Sequence, residues 1–247
     1  MKLLVIIDPI LPTRPPVNPA DVVETPLIHE TPWVKMVIDA LPSGDGIQPV
    51  FVVRQAAAGS DCVADFIRLH RPEATVQYVP SSVQGAGCAA LMAVEHLDGG
   101  ELCVVQGNQF LRNDLLTVIE PIRTGGLPGG VVIFDSLNPR WPHVRLNAQG
   151  DVEEASETAL ISGHALAGVY YYRSGDDFVR CVEQTIRKGW PTAGGYGLAS
   201  AVNEMILAGK RVGSVRIAPS DFVPLARELD LECCRSLFPP RPGAAAA

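Results

Sequence analysis

Leu102-Cys103-Val104-Val105 puts four apolar residues in succession, followed at once by Gln106-Gly107-Asn108-Gln109. A short aliphatic run ended by glycine and polar side chains is the pattern of a strand buried on both faces, where alternation is lost because neither side meets water. Working outward, the pattern recurs upstream at 3–7, 49–53 and 75–79, and downstream at 130–134. Helical spacing fills the intervals. Trp33, Val34, Val37, Ile38 and Leu41 form a stripe within 32–41, and Val63, Phe66, Ile67 and Leu69 form another within 62–70. The Ala- and Leu-rich stretch 86–96 and the segment 114–122, with Asp114 at its capping position, complete the set. Strands alternating with such helices predict a parallel sheet covered on both faces. Beyond 135 the character changes. Residues 144–146 and 151–153 read as a hairpin about Gly150, 165–172 as a strand, 176–188 and 199–208 as helices, and 211–217 as a strand. The predicted fold class is α/β: one Rossmann-like domain over 1–235, with a mostly parallel central sheet flanked by helices and a hairpin-containing second half. The Pro- and Ala-rich segment 236–247 reads as a disordered tail.

The composition narrows the function classes. With 247 residues, 47% of them apolar, the chain can bury a substantial core. Its 27 acidic against 20 basic residues give a net charge of -7, which argues against a nucleic-acid partner, because a phosphate backbone requires a basic surface. No apolar run approaches the roughly 18 to 20 residues of a membrane span, and 3–7 is too short for the core of a signal peptide. Six cysteines without a CxxC spacing read as reduced core thiols rather than a zinc site, which points to the cytoplasm. The five histidines form no HExxH or HxH pattern, and no serine stands in a GxSxG setting.

Right-handed crossovers bring the loops that follow parallel strands to one sheet edge, where ligands of open α/β sheets bind. Asp8 ends the first strand there. The next loop, Asp8-Pro9-Ile10-Leu11-Pro12-Thr13-Arg14-Pro15-Pro16, is poor in backbone donors because proline has no N–H, so a tight pyrophosphate cradle is not expected. Arg14 remains as a fork donor for phosphate, or as a solvated arginine on a stiff loop. Gln84-Gly85-Ala86-Gly87 stands before a helix and reads either as an ordinary turn or as a place where a ring lies on the backbone while the Gln84 amide reads a base edge. Gly107-Asn108 follows the fourth strand. Asn108 offers a neutral carbonyl where a Mg²⁺ site calls for a carboxylate. Glu153, Glu154 and Glu157 read on charge pattern as a solvated acidic face.

Taken in order, these segments resemble the sugar-phosphate nucleotidyltransferases, of GT-A-like fold, and especially the branch linked to capsule polysaccharide synthesis that is sometimes labelled family-2 glycosyltransferase. Pro26-Leu27-Ile28-His29-Glu30-Thr31-Pro32 is similar to the family's K-P-L-I-x-x-x-G-K-P stretch, and Gln84-Gly85-Ala86-Gly87 to its base-binding Q-G-A/T-A turn. Val105-Gln106-Gly107-Asn108-Gln109 is similar to the strand ending in N/G-D-Q. Pro139-Arg140-Trp141 with Val144-Arg145-Leu146 and Gly150-Asp151-Val152 resembles the P-R-W hairpin. Glu157 with Ile161-Ser162 fits E-K-x-x-I-S, Ala165 to Tyr171 with Gly168 fits A-x-x-G-I-Y-Y, and Asn203-Glu204-Met205-Ile206 with Gly209-Lys210 fits N-E-x-I-x-x-G-K.

The resemblance implies nucleotide contacts at Arg14, Gln84, Gly85, Ala86 and Gly107, and sugar or acceptor contacts at Arg140, Trp141, Glu157, Gly168 and Asn203. Asp8 and Asn108 fall where the chemistry would be. The departures fall on the charged groups. Of the G-x-G-x-R loop only Arg14 survives, the two family lysines are replaced by Thr25 and Thr158, and the metal-binding aspartate by Asn108. Phosphoryl transfer depends on positioning and on cationic stabilisation of developing charge, and loss of one such group typically costs on the order of a hundredfold. The expected partner is therefore a nucleotide, nucleotide-sugar or sugar phosphate, bound by a protein without the standard Mg²⁺-dependent transfer machinery. The resemblance leaves the cofactor undetermined and admits a homo-oligomer or a partner enzyme. Two readings stand beside this one. The site is rewired and active, with Arg14, Lys35, Arg54 or Arg140 supplying cations and Asp8 or Asp114 holding Mg²⁺. Or the chain is a non-catalytic interaction subunit with an apolar patch near Trp33, Trp141 or Trp190.

Overall fold

The computed structural model describes residues 1–8, 27–55, 60–97 and 99–238. The elements follow in the order β1 (Lys2–Ile7), β2 (Leu27–Ile28), β3 (Thr31–Pro32), α1 (Trp33–Ala40), β4 (Gln48–Arg54), α2 (Ser60–His70), β5 (Thr75–Val79), α3 (Ala86–Leu91), β6 (Leu102–Gln106), β7 (Gln109–Leu111), α4 (Leu115–Thr124) and β8 (Gly129–Asp135). The second half continues with β9 (His143–Leu146), β10 (Val152–Ser156), β11 (His164–Tyr172), α5 (Gly175–Lys188), α6 (Leu198–Leu207), β12 (Val212–Arg216), β13 (Phe222–Pro224) and α7 (Glu228–Leu237).

β5, β4, β1 and β6 run parallel in that spatial order, as the uninterrupted aliphatic runs predict. β11 then enters antiparallel beside β6 and pairs on its other side with β8, which carries β12 parallel to itself. The β9–β10 hairpin joins the start of β11. The fold is thus a single mixed α/β domain with a large, mostly parallel sheet, the predicted class.

Period-two alternation along β1 sorts its side chains into two cores. Leu3, Val5 and Ile7 face Trp33, Val37, Ile67, Ile119 and Leu231, so α1, α2, α4 and α7 cover that face. Leu4 and Ile6 face Ala90, Phe178, Val182, Leu198 and Met205 of α3, α5 and α6. Each fully buried Val, Leu or Ile contributes roughly 1.5–3 kcal/mol, and a strand buried on both faces collects that along its whole length. This explains why the central strands contain so little but Val, Leu and Ile.

The helix expected over 86–96 is shorter than its composition suggests. α3 ends at Leu91, and a 3₁₀ turn spans Val94–His96. The backbone tightens to i→i+3 bonds, with Ala93 N–H to Ala90 and His96 N–H to Ala93. Asp114 caps α4, accepting the Thr117 N–H at 2.8 Å. Two small pairings carry no aliphatic run and were not foreseen, β13 with β7 and β2 with β3. α7 continues to Leu237, so the described part of the segment expected as a tail begins inside a helix; the rest of that segment lies outside the described residues. Among the cysteines, Cys103, Cys181 and Cys234 are buried as core thiols, whereas Cys62 and Cys233 are exposed; all six are free.

Candidate functional site

Strand register assembles the edge. Ile7 pairs with Val53, and Ile6 with both Val52 and Gln106. One step beyond the Ile7–Val53 pair, Asp8 and Arg54 stand side by side at the carboxyl ends of β1 and β4, and Asn108 follows two residues past the last β1–β6 pair, so the three form a row along the carboxyl edge of β4, β1 and β6. The Gly107 N–H bonds to the Ile6 carbonyl at 2.8 Å and closes the row. A Cβ at Gly107 would lie 2.3 Å from the Ile7 Cδ1, so any larger residue there would displace the Ile7 side chain.

The charges in the row are committed in an uneven way. Arg54 is largely buried, its side chain 17% exposed, while the Asp8 side chain is 40% exposed. Arg54 Nε donates to Asp8 Oδ1 at 2.6 Å, and Nη1 donates to the Val83 carbonyl. Past the end of β6, the neighbouring strand, the Asn108 Oδ1 is buried and has no hydrogen-bond partner among the described residues. The Asn108 backbone carbonyl accepts from Leu225 at 2.8 Å. Gly168 reaches the same edge from β11 with φ +67. A Cβ there would collide with the Gln109 Nε2 at 1.6 Å and crowd the Gln106 Oε1 at 3.0 Å. Gln109 is buried and donates to the Ala167 carbonyl at 2.6 Å.

A second patch is built by backbone approach. Gly85 has φ +85, and a Cβ on it would stand 2.3 Å from the Tyr196 carbonyl oxygen; one on Gly195 would meet the Gln84 carbonyl carbon at 2.5 Å. The Gly87 N–H donates to the Tyr196 carbonyl at 2.9 Å. The glycines of 84–87 therefore serve a close crossing with the loop Gly194-Gly195-Tyr196-Gly197. Ala86 opens α3 beside that crossing, and the Gln84 residue is exposed. Sequence reasoning passed over this partner loop, although three glycines within four residues directly before α6 signal a close approach.

Glu157 lies next to that loop and is not a solvated carboxylate. It accepts from the Ala199 N–H at 2.6 Å and the Ser200 N–H at 3.2 Å, capping α6 from outside its own segment. Burial pushes its carboxyl above the usual value, and the two backbone N–H donors pull the other way.

The remaining expected sugar-side residues have partners within the fold. Asn203 accepts the Ala155 N–H at 2.8 Å and donates to the Ala155 carbonyl at 2.7 Å. Arg140 forms a bidentate pair with Asp230 at 2.9 and 2.7 Å and stacks over Trp141 at 3.9 Å. Trp141 in turn packs edge-on against Phe222 and Phe134. Of the cations and carboxylates considered as replacements, Lys35 is paired with Asp39 on its own helix and Asp114 caps α4; Arg54 and Asp8 are the two at the edge. Arg14 and Thr25 lie outside the described residues. Trp33 is core, and Trp190 is 81% exposed.

A Mg²⁺ ion, which the rewired, active reading calls for, does not fit the described residues. No cluster of three His, Cys, Asp or Glu side chains is present among them. Asn108 brings no charge, and Asp8 already holds a guanidinium. No helix among the described residues is long and apolar enough to cross a membrane.

No protein-family model and no curated protein sequence matches the chain. Solved structures match it closely in shape. A nucleoside-diphosphate-sugar pyrophosphorylase from Vibrio cholerae RC9 superposes with a TM-score of 0.76 at 14% identity, covering 96% of this chain and all of that one. A UDP-glucose pyrophosphorylase complexed with UDP-glucose gives 0.68 at 14% identity, over 96% and 97% of the two chains. HddC from Yersinia pseudotuberculosis, complexed with GMP-PN, gives 0.64 at 13% identity, over 96% and 99%. The chain shares its fold with these structures over 96% of its length.

Proposed function

We propose that this chain is a nucleotidyltransferase-like protein of sugar-nucleotide or surface-polysaccharide metabolism. It binds a nucleotide, nucleotide-sugar or sugar phosphate at the carboxyl edge of β4, β1 and β6, and does so without the Mg²⁺-dependent transfer step. The fold supports the ligand class. The observation that carries the rest is the row Arg54–Asp8–Asn108, one cation, one carboxylate and one carboxamide, where a metal-assisted transferase needs carboxylates free to hold a divalent ion. In this reading the exposed Gln84 amide meets the base, the Gly85–Tyr196 crossing shapes the floor, and Gly168 leaves room at the sugar side. The protein works in the cytoplasm, where nucleotide-sugars are made.

Calorimetry with CTP, UTP, dTTP, their diphospho-sugars and sugar 1-phosphates tests this, each run in EDTA and in Mg²⁺. Binding of at least one of these with an affinity that changes less than about threefold between the two conditions is expected. Tight triphosphate binding that disappears in EDTA overturns the reading. A rewired, active transferase is the second reading, favoured by the placement of Arg54 at the edge. Pyrophosphate release from a nucleoside triphosphate in the presence of a phosphorylated acceptor would establish it.

A further inference from the structure

Resting on the carboxyl-edge binding reading above, we propose that Arg54 is the anion-binding residue of this site and that Asp8 is its exchangeable counter-ion. A phosphate or pyrophosphate group then binds by displacing the Asp8 carboxylate from the guanidinium, where a metal-dependent site would add a cation.

The protein itself supplies the contrast that supports this. Arg140 and Asp230 show what a permanent arginine–carboxylate pair looks like here. Both oxygens are engaged by two nitrogens, at 2.9 and 2.7 Å, and both side chains are mostly buried. That fork-to-fork geometry is the strong one. Arg54 and Asp8 are joined through a single contact, Nε to Oδ1 at 2.6 Å. Among the described residues no second hydrogen bond joins the two side chains. The two members also differ in their ties. Arg54 is held in place by the Val83 carbonyl as well, and is mostly buried; Asp8 is 40% exposed and has water to move into. The cation is therefore fixed and the anion replaceable. A guanidinium presents a planar donor edge that matches two phosphate oxygens, a closer match than one carboxylate oxygen.

The third member of the row points to the same ligand. Asn108, just past the end of β6 on the far side of β1 from β4, has a buried Oδ1 with no donor among the described residues. Buried acceptors are almost always satisfied. A ligand whose oxyanion sits on Arg54 and whose hydroxyl reaches Asn108 would satisfy it, and sugar phosphates and nucleotides carry both groups.

The sign of one substitution separates this from a metal site. If Asp8 anchors a cation, Asp8→Asn weakens anion binding. If Asp8 competes with the ligand for Arg54, Asp8→Asn strengthens it. The probe is inorganic pyrophosphate, titrated by calorimetry in EDTA into the wild-type protein, Asp8→Asn, Arg54→Gln and Arg54→Lys, with thermal melts on each. Asp8→Asn should bind about five- to tenfold more tightly than wild type, the range expected for releasing a partly exposed ion pair and removing a like charge. Arg54→Gln should lose more than tenfold, and Arg54→Lys, which keeps the charge without the fork, should fall between. An Asp8→Asn variant with unchanged, weaker or absent pyrophosphate binding overturns the proposal, as does full affinity in a folded Arg54→Gln. If Arg54→Gln does not fold, the direction of the Asp8→Asn change still decides. The nucleotide panel in EDTA separates the two levels. Nucleotide binding with no gain in Asp8→Asn removes only the exchange step. A wild-type protein that binds none of the panel removes the site itself.

Discussion

Glu157 shows how much one residue's surroundings change what its charge means. Its carboxylate lies at the N-terminus of α6, where the helix dipole and two free N–H groups favour a negative charge. Burial opposes them and prevails, so the carboxyl titrates above its usual 4.5. Gly197 leaves room for it, because a Cβ there would stand 2.0 Å from Glu157 Oε1 and push the carboxylate off its N–H donors. A carboxyl whose value is raised on folding binds its proton more firmly in the native state. Its contribution to stability is therefore fully present below the unfolded value and is lost as pH rises through the folded one. Glu157→Gln does not titrate and escapes that loss. The melting temperature of Glu157→Gln minus that of wild type should thus become more positive from pH 4 to pH 8. A difference that stays flat, or falls, would show that the N–H donors outweigh burial. Glu101 behaves in the opposite sense. Its hydrogen bond to Arg123 lowers its value, so its contribution is present above the ordinary range and lost in acid.

At the scale of elements, the second half is held together by side chains that imitate backbone. Among the described residues β10 is an edge strand, paired only with β9 and interrupted by a register shift between Val152 and Glu154. The Asn203 amide on α6 supplies the missing neighbour, accepting from and donating to Ala155 as a further strand would. Edge strands need such cover, because open N–H and C=O groups otherwise invite pairing with other chains. Asn203→Ala leaves both Ala155 groups without their partner. The loss should be about 2–3 kcal/mol, given roughly 1 kcal/mol net for each bond and more where a partly buried group stays unpaired. Amide exchange at Ala155 should accelerate more than exchange in β1. Equal acceleration everywhere would mean that the strand opens only by global unfolding.

At the scale of the molecule, α7 closes the chain onto its beginning. Asp230 holds Arg140 with both oxygens and also accepts the Arg227 N–H at 3.0 Å. Arg235 donates to the Leu27 carbonyl, and His29 meets the Arg235 carbonyl at 2.8 Å, so residues over 200 positions apart are fastened together. Asp230→Ala removes the acceptor from an arginine that is only 16% exposed. Breaking one side of a buried pair costs about 3–5 kcal/mol, and this slightly exposed one should cost about 2–4. Limited proteolysis should then cut near α7 at concentrations that spare wild type. If melting and proteolysis are both unchanged, α7 is held by the packing of Leu231 and Cys234 and by the Arg235 contacts to Leu27 and His29.

The sheet was legible in the linear chain because a strand buried on both faces leaves its own mark: unbroken Val, Leu and Ile, as in 3–7, 49–53 and 102–105. Helix stripes and the Asp114 cap are equally local, so they needed no knowledge of neighbours. That Asp8, Gly107 and Asn108 lie at one edge followed from parallel topology. What tertiary structure alone decided was which polar groups face each other. Arg54 and Asp8 are 46 positions apart, Arg140 and Asp230 are 90, and Asn203 and Ala155 are 48. A hydrogen bond of about 3 Å depends on registers and crossings set by the whole core. The sequence states that these residues can donate or accept, while only packing tells which are spent on the fold and which remain for a ligand.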